Sequence, residues 1–219
     1  RSRVRVFRDG GAMVLATPRI VRTVQRARAS RRPTLEGAEV FADENARLLL
    51  EADSEHWWFR SKAALVSTAL RRTRGERLGF LVDAGGGAGG VTARLGWDPE
   101  RTLVMEGNEE LAAAASRAHG LRGVRANVGQ FPLAPGSTSV VCLLDVIEHL
   151  TDPVATLREA AGALAPGGRV VVNVPAHTWL WSAADEELGH IKRYTRPQLR
   201  TELAAAGLRW VRMDFAWNG

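Results

Sequence analysis

The residues best suited to chemistry form an acid-glycine run, Asp83-Ala84-Gly85-Gly86-Gly87-Ala88-Gly89-Gly90, followed by an isolated acid at Glu106. Glycine lets the backbone come within contact distance of a ligand and take positive φ, and the amides that open the next helix face a bound polar group. The run has two readings. As Gly85-x-Gly87-x-x-Gly90 it satisfies the dinucleotide fingerprint. As Asp83-x-Gly85-x-Gly87-x-Gly89 it sets a carboxylate two positions before the first glycine, a poor neighbour for a pyrophosphate but a good one for a cofactor bearing ammonium or sulfonium charge. Glu106 comes 17 positions after Gly89. There an acid closing the next strand can accept hydrogen bonds from both hydroxyls of an adenosine ribose.

Two further places offer proton acceptors. His149 ends the stretch Asp145-Val146-Ile147-Glu148-His149, after an apolar run, and serves either as a base at a pocket mouth or as a histidine that orders its own turn. The second place is the long joint from Pro175 to Thr195, which carries Trp179, Trp181, His190 and Tyr194. Loops beyond about 12–15 residues in a compact domain are usually functional. This one reads as a cover over an acceptor, with the tryptophans supplying apolar area and His190 or Tyr194 reaching the nucleophile; the alternative is that both residues are hydrogen-bonded struts. His56, His149 and His190 lie far apart in sequence without metal-ligand spacing, so no metal is expected.

The elements that must position these residues alternate along the chain. Leu78 to Asp83, Thr102 to Met105, Val140 to Leu144, Val170 to Val174 and Leu208 to Phe215 read as strands. Val140 to Leu144 is wholly apolar, the pattern of a strand buried on both faces. Between them, Glu109 to His119 reads as a helix stopped at Gly120, Asp152-Pro153 as the cap and first turn of a helix reaching about Leu164, and Thr195 to Gln198 as a capping box opening a helix that ends at Gly207. Phe59, Ala63, Val66 and Leu70 recur at helical spacing, so about Ala46 to Arg72 forms one or two amphipathic helices ahead of the main fold, bearing His56-Trp57-Trp58-Phe59-Arg60. The expected fold is α/β, a doubly wound and mostly parallel sheet with helices on both faces. Its ligand belongs at the carboxyl ends of the strands. The expected divisions are a basic arm (1–40), a helical cap (41–75) and the main domain (76–219).

Composition agrees with a globular chain: 219 residues, 45% hydrophobic and 25% charged, with one cysteine. Cys142 sits in an apolar run and has no internal partner, as expected for a packed thiol in the reducing cytoplasm. No stretch is apolar for the roughly 18 residues a membrane span needs. The formal charge of +6 is uneven: residues 1–35 carry ten arginines against Asp9, and the remainder is net acidic. Such an arm could contact nucleic acid or an anionic surface, or be a solvated leader. The starting Arg1 reads as a cut upstream of it.

Taken in order, Leu81-Val82-Asp83-Ala84-Gly85-Gly86-Gly87-Ala88-Gly89, Glu106, Gln130-Phe131-Pro132-Leu133, Leu144-Asp145-Val146-Ile147-Glu148-His149-Leu150 and Leu164-Ala165-Pro166-Gly167-Gly168 resemble the class I S-adenosylmethionine-dependent methyltransferases, in the small-molecule group that includes the ubiquinone-type enzymes. The resemblance covers about residues 55–210 and implies a Rossmann-like methyltransferase fold. The implied cofactor is S-adenosylmethionine, held by Asp83, Gly85, Gly86, Gly87, Gly89, Glu106, Gly107, Asn127, Val128, Leu144 and Asp145, with Arg60 from the cap. Asp83 and the glycines would line the methionine end and Glu106 would hold the ribose. Asn127 falls where the family commonly has an Asp recognising the adenine amino group, and its carbonyl can accept the same bond. Ser139 replaces an Asp and Gly86 a frequent Cys. The implied reaction moves a methyl group to oxygen or nitrogen of a small or lipid-like acceptor, with His149, His190 and Tyr194 as candidate catalytic residues. Alternatives are a nicotinamide-dependent oxidoreductase, which lacks the Tyr-x-x-x-Lys pair because Tyr194 is followed by Gln198, and a binding module carried by the arm. Such methyltransferases finish with an antiparallel seventh strand, so with the chain stopping at Gly219 the sheet is expected to be one strand short.

Overall fold

The computed structural model describes residues 11–18, 57–72 and 79–216. Five strands run parallel: β2 (Leu81–Ala84), β3 (Thr102–Glu106), β4 (Arg122–Arg125), β5 (Thr138–Leu144) and β6 (Leu164–Pro175). With β1 (Gly11–Pro18) and β7 (Leu208–Ala216) they form a single sheet in the order β4-β3-β2-β5-β6-β1-β7. The order reverses at β2 and β5, which places a ligand crevice at their carboxyl ends.

Strand alternation explains the unbroken apolar runs. Val82, Val141, Leu143, Val170 and Val172 pack on one face with Leu157, Ala160, Leu199 and Leu203, carried by α4 (Pro153–Ala163) and α6 (Arg196–Ala205). Leu81, Val140, Cys142, Leu144 and Val171 pack on the other with Ala63, Val66 and Leu70 of α1 (Trp57–Arg72) and with Val91 of α2 (Gly90–Ala93). Both faces of the central strands are therefore covered, as the unbroken apolar run Val140 to Leu144 requires.

The helix ends follow their capping chemistry. In α3 (Glu109–His119) the Asn108 side chain accepts from the Glu110 and Leu111 amides, and Gly120 closes the helix at φ 66°. Asp152 accepts from Ala155 N at the start of α4, and Thr195 and Gln198 form the expected reciprocal box at the start of α6. Strand β4 was not expected, because Arg122-Gly123-Val124-Arg125 has one large apolar residue in four. Contact with α3 explains it: a Cβ on Gly123 would lie 1.8 Å from the Ala112 carbonyl, so this edge strand lies directly against the helix.

The sheet is not one strand short. Gly11–Pro18, inside the segment read as a basic arm, lies antiparallel to both β6 and β7 and separates them. Its apolar stretch Ala12-Met13-Val14-Leu15-Ala16 fits a strand, and the surrounding arginines hid it. The rest of the arm, and Ala46 to His56 of the expected cap helices, lie outside the described residues.

Candidate cofactor and acceptor site

Three strand ends build the first part of the site. β2 ends in the glycine turn, whose Gly85 and Gly86 amides both donate to the Met105 carbonyl at the end of β3, at 2.7 and 3.3 Å. Gly85, Gly87 and Gly89 have φ of 77°, 55° and 86°. At Gly85 a Cβ would also meet Val146 Cγ2 at 2.7 Å, whereas at Gly87 it would meet nothing within 4 Å. One wall of the turn is thus packed against protein and the other is open. Glu106 closes β3 and bends over this turn: Oε2 accepts from Gly87 N and Oε1 from Asn108 N, each at 3.0 Å. Asp83 and Glu106, on adjacent strands, are close enough for Glu106 to disfavour ionisation of Asp83.

Asp83 is buried. Thr92 of α2 donates to its Oδ2, while Oδ1 has no hydrogen-bond partner. Burial first, opposed by the Thr92 hydrogen bond and the Lys62 charge, and reinforced by Glu106 and Asp145, raises its pKa from 3.8 to about 6. An orphaned acceptor in this state is matched by a cationic ligand group, which would restore the carboxylate. The raised value also fixes a sign: the folded chain holds this proton between about pH 4 and 6 while the unfolded chain has released it, so stability declines as pH rises through that window. Denaturant titrations across it should show a steeper decline for the native chain than for Asp83→Asn; parallel curves would contradict the assignment.

Helix α1 supplies a residue the motif search missed. Lys62 is buried on the same helical stripe as Phe59, Ala63 and Val66, and its Nζ pairs with Asp145 Oδ2. The ammonium also lies 5.5 and 5.4 Å from the ring centroids of Trp58 and Phe59. Asp145 stands at φ 58°, a left-handed conformation that Asp tolerates better than most residues, and its Oδ1 accepts from Asn173 of β6. A lysine at a core-facing position, in a chain with two lysines and 28 arginines, was the available signal. Arg60 is exposed on the same helix.

The remaining expected cofactor residues lie at or just after the carboxyl ends of β3, β4 and β5. Gly107 follows Glu106, and Leu144 is buried beside Asp145 at the end of β5. Asn127 and Val128 follow β4 in a turn where Asn127 Oδ1 accepts from Gly129 N at 2.7 Å, so this oxygen already holds one bond and has one lone pair left. Val128 packs against the core. Ser139 packs directly on Gly79, where a Cβ would lie 1.6 Å from Ser139 Oγ.

The acceptor side corrects the sequence picture. His149 and His190, read as distant, have ring centroids 4.9 Å apart. The long joint folds back on itself through a parallel bridge between Ala176 and Tyr194, and contains α5 (Ala183–Glu187). It is fastened to the turn after β5 by Ile191 N donating to the Glu148 carbonyl (2.8 Å) and by a 3.1 Å contact between His149 Nδ1 and the Gly189 carbonyl. Asp185, also missed, is its hub: Oδ1 accepts from Arg193 Nε (2.7 Å) and His190 Nδ1 (2.9 Å), and Oδ2 from the Ser182 amide (2.9 Å) and hydroxyl (3.1 Å). Burial opposes ionisation of Asp185, but the Arg193, His190 and Ser182 hydrogen bonds overcome it and hold the pKa well below the usual carboxylate range. Tyr194 is buried, with its hydroxyl 3.0 Å from Glu202 Oε2 and 3.3 Å from the Ile147 carbonyl. Burial and the Glu202 charge push its pKa up, which matches the strut reading rather than a base. Burial lowers the His149 pKa, partly offset by the Gly189 carbonyl, which favours the neutral ring. Trp179 and Trp181 are exposed on the joint.

Comparison with known proteins agrees with this geometry. Residues 54–212 match the family model described as a methyltransferase domain. A Mycobacterium tuberculosis protein named as a probable S-adenosylmethionine-dependent methyltransferase is 25% identical over 176 residues, covering 79% of this chain and 63% of its own. The ubiquinone biosynthesis O-methyltransferase of Parvibaculum lavamentivorans is 32% identical over 153 residues, 61% of this chain and 60% of its own. The chain thus spans about three fifths of these relatives' length. Among solved structures, an O-methyltransferase from neocarzinostatin biosynthesis, in complex with S-adenosylmethionine and 2-hydroxy-5-methyl naphthoic acid, superposes with a TM-score of 0.51 at 28% identity, over 68% of this chain and 51% of its own. An acid-flanked glycine turn at the sheet's reversal point and a family match across most of the chain lead to one assignment: it belongs to the class I S-adenosylmethionine-dependent methyltransferases.

Proposed function

We propose that this chain transfers a methyl group from S-adenosylmethionine to oxygen or nitrogen of a small or lipid-like acceptor. The observation that carries this is the pairing of a buried, half-satisfied carboxylate at Asp83 with a second acid, Glu106, across a glycine turn whose Gly87 side is open. Asp83 suits the cationic methionine end of the cofactor and Glu106 its ribose hydroxyls. The sulfonium supplies an activated methyl group. The protein's tasks are then to align the acceptor in line with it and, for a hydroxyl, to take up a proton. His149 or His190 takes that proton in this reading, since both rings stand where the cover joint meets the end of β5, and Tyr194 serves as a strut.

The exposed tryptophans of the cover favour an aromatic or amphipathic acceptor, in line with the naphthoic acid held by the solved O-methyltransferase. Cytoplasmic placement is supported by the buried free thiol of Cys142; among the described residues no helix is long and apolar enough to cross a membrane. Calorimetric titration tests the cofactor assignment: S-adenosylhomocysteine should bind at about one per chain and NAD should give no saturable heat. Saturable NAD binding without S-adenosylhomocysteine binding would refute it.

A further inference from the structure

The ion pair between Lys62 and Asp145 is unevenly enclosed: the lysine side chain is 8% exposed and the aspartate 24%. The ammonium is shut in beside Trp58 and Phe59, while the carboxylate keeps an open side. Three features fix the carboxylate's direction: Asp145 holds a left-handed backbone at φ 58°, Asn173 donates to its Oδ1, and Lys62 donates to its Oδ2. The strands set this pair next to the glycine turn, because Asp145 directly follows β5 and β5 runs parallel to β2 with Cys142 opposite Asp83. Both charges reach Asp83, with opposite effects: Lys62 favours its ionisation and Asp145 disfavours it.

S-adenosylmethionine brings an ammonium and a sulfonium to such a crevice, and S-adenosylhomocysteine brings only the ammonium. Asp83, with one orphaned oxygen, answers one of these charges. An unpaired Asp145 would answer the other and hold the sulfonium tightly before reaction. That attraction would raise the barrier: as the methyl group passes to the acceptor, the C–S electron pair returns to sulfur, the positive charge there disappears, and the attraction weakens toward the transition state. We infer that the Lys62–Asp145 pair keeps the crevice wall beside the sulfur close to neutral, so that the sulfonium stays reactive and the methyl donor gains little affinity over the spent cofactor. The inference rests on the cofactor reading proposed above and adds to it the residues that set donor against product.

The test is calorimetric titration of the full chain with S-adenosylmethionine and with S-adenosylhomocysteine. Adenosine, ammonium and carboxylate are common to both, so the ratio of the two affinities reads the sulfur alone. Lys62→Met should shift that ratio toward S-adenosylmethionine by ~10-fold or more, the order expected for one uncompensated charge several ångströms away in a protein interior. Asp145→Asn should shift it by a similar factor the other way, because the lysine then faces the sulfonium alone. Lys62→Arg, which keeps the charge, and the double variant Lys62→Met with Asp145→Asn, which removes both charges, should each retain the native ratio. Far-ultraviolet circular dichroism identifies the folded variants, and either single variant decides the matter. An unmoved ratio in a folded single variant would overturn the inference, since a merely structural pair weakens both ligands equally. If the unaltered chain binds neither ligand, the cofactor reading fails and this inference with it; binding of both with an unmoved ratio removes only the role of the pair.

Discussion

Asp185→Ala should unfold the chain at a temperature lower by roughly 6–20 °C. Removing one partner of a buried, hydrogen-bonded ion pair costs about 3–5 kcal/mol, and each kcal/mol shifts the melting point by roughly 2–4 °C in a protein of this size. Here one substitution removes the acceptor for the buried Arg193, for His190 and for the Ser182 amide and hydroxyl. It also empties the capping box of α5. Asp185→Asn, which keeps one acceptor oxygen, should recover part of the loss. Melting followed by near-ultraviolet circular dichroism checks the series; a shift under a few degrees for the alanine variant would mean that the joint is held by something other than this carboxylate.

The second large effect is expected at Glu106. Glu106→Ala should weaken S-adenosylhomocysteine binding by about 100-fold, because two hydrogen bonds to a charged acceptor contribute about 1.5 kcal/mol each at the low end, or ~3 kcal/mol together. The same side chain holds Gly87 N and Asn108 N, so part of the loss will come from a loosened glycine turn. Glu106→Gln separates the contributions. It keeps an acceptor for the turn but loses the charge, and an intermediate loss is expected by calorimetric titration. Affinity unchanged in the alanine variant would remove Glu106 from the cofactor site.

Legibility in the sequence followed the range of the interactions. Asn108 and Gly120 bound α3, and Asp152-Pro153 and Thr195-Gln198 open their helices, because capping is decided within four residues. The Asp83 and Glu106 placement was equally readable, since a strand-turn-helix unit fixes it locally. His149 and His190 illustrate the opposite case. They lie far apart in sequence, and only the folding back of the joint through the Ala176–Tyr194 bridge brings the rings together. Asp185 went unnoticed among Asp185-Glu186-Glu187 because three consecutive acids look like a solvated face, and burial of one of them is a tertiary decision. Strands β1 and β4 were obscured by flanking arginines, and their pairing partners rather than their own residues define them.

The position of β1 has a consequence for how the molecule assembles. Gly11 pairs with Pro175 and with Ala216, so β7 joins the sheet only through a segment synthesised some two hundred residues earlier. Contacts that distant in sequence carry a large loop-closure entropy and slow folding. On the ribosome, β1 has no partner until β6 has emerged, and once docked there it presents its own outer edge to its surroundings until β7 follows.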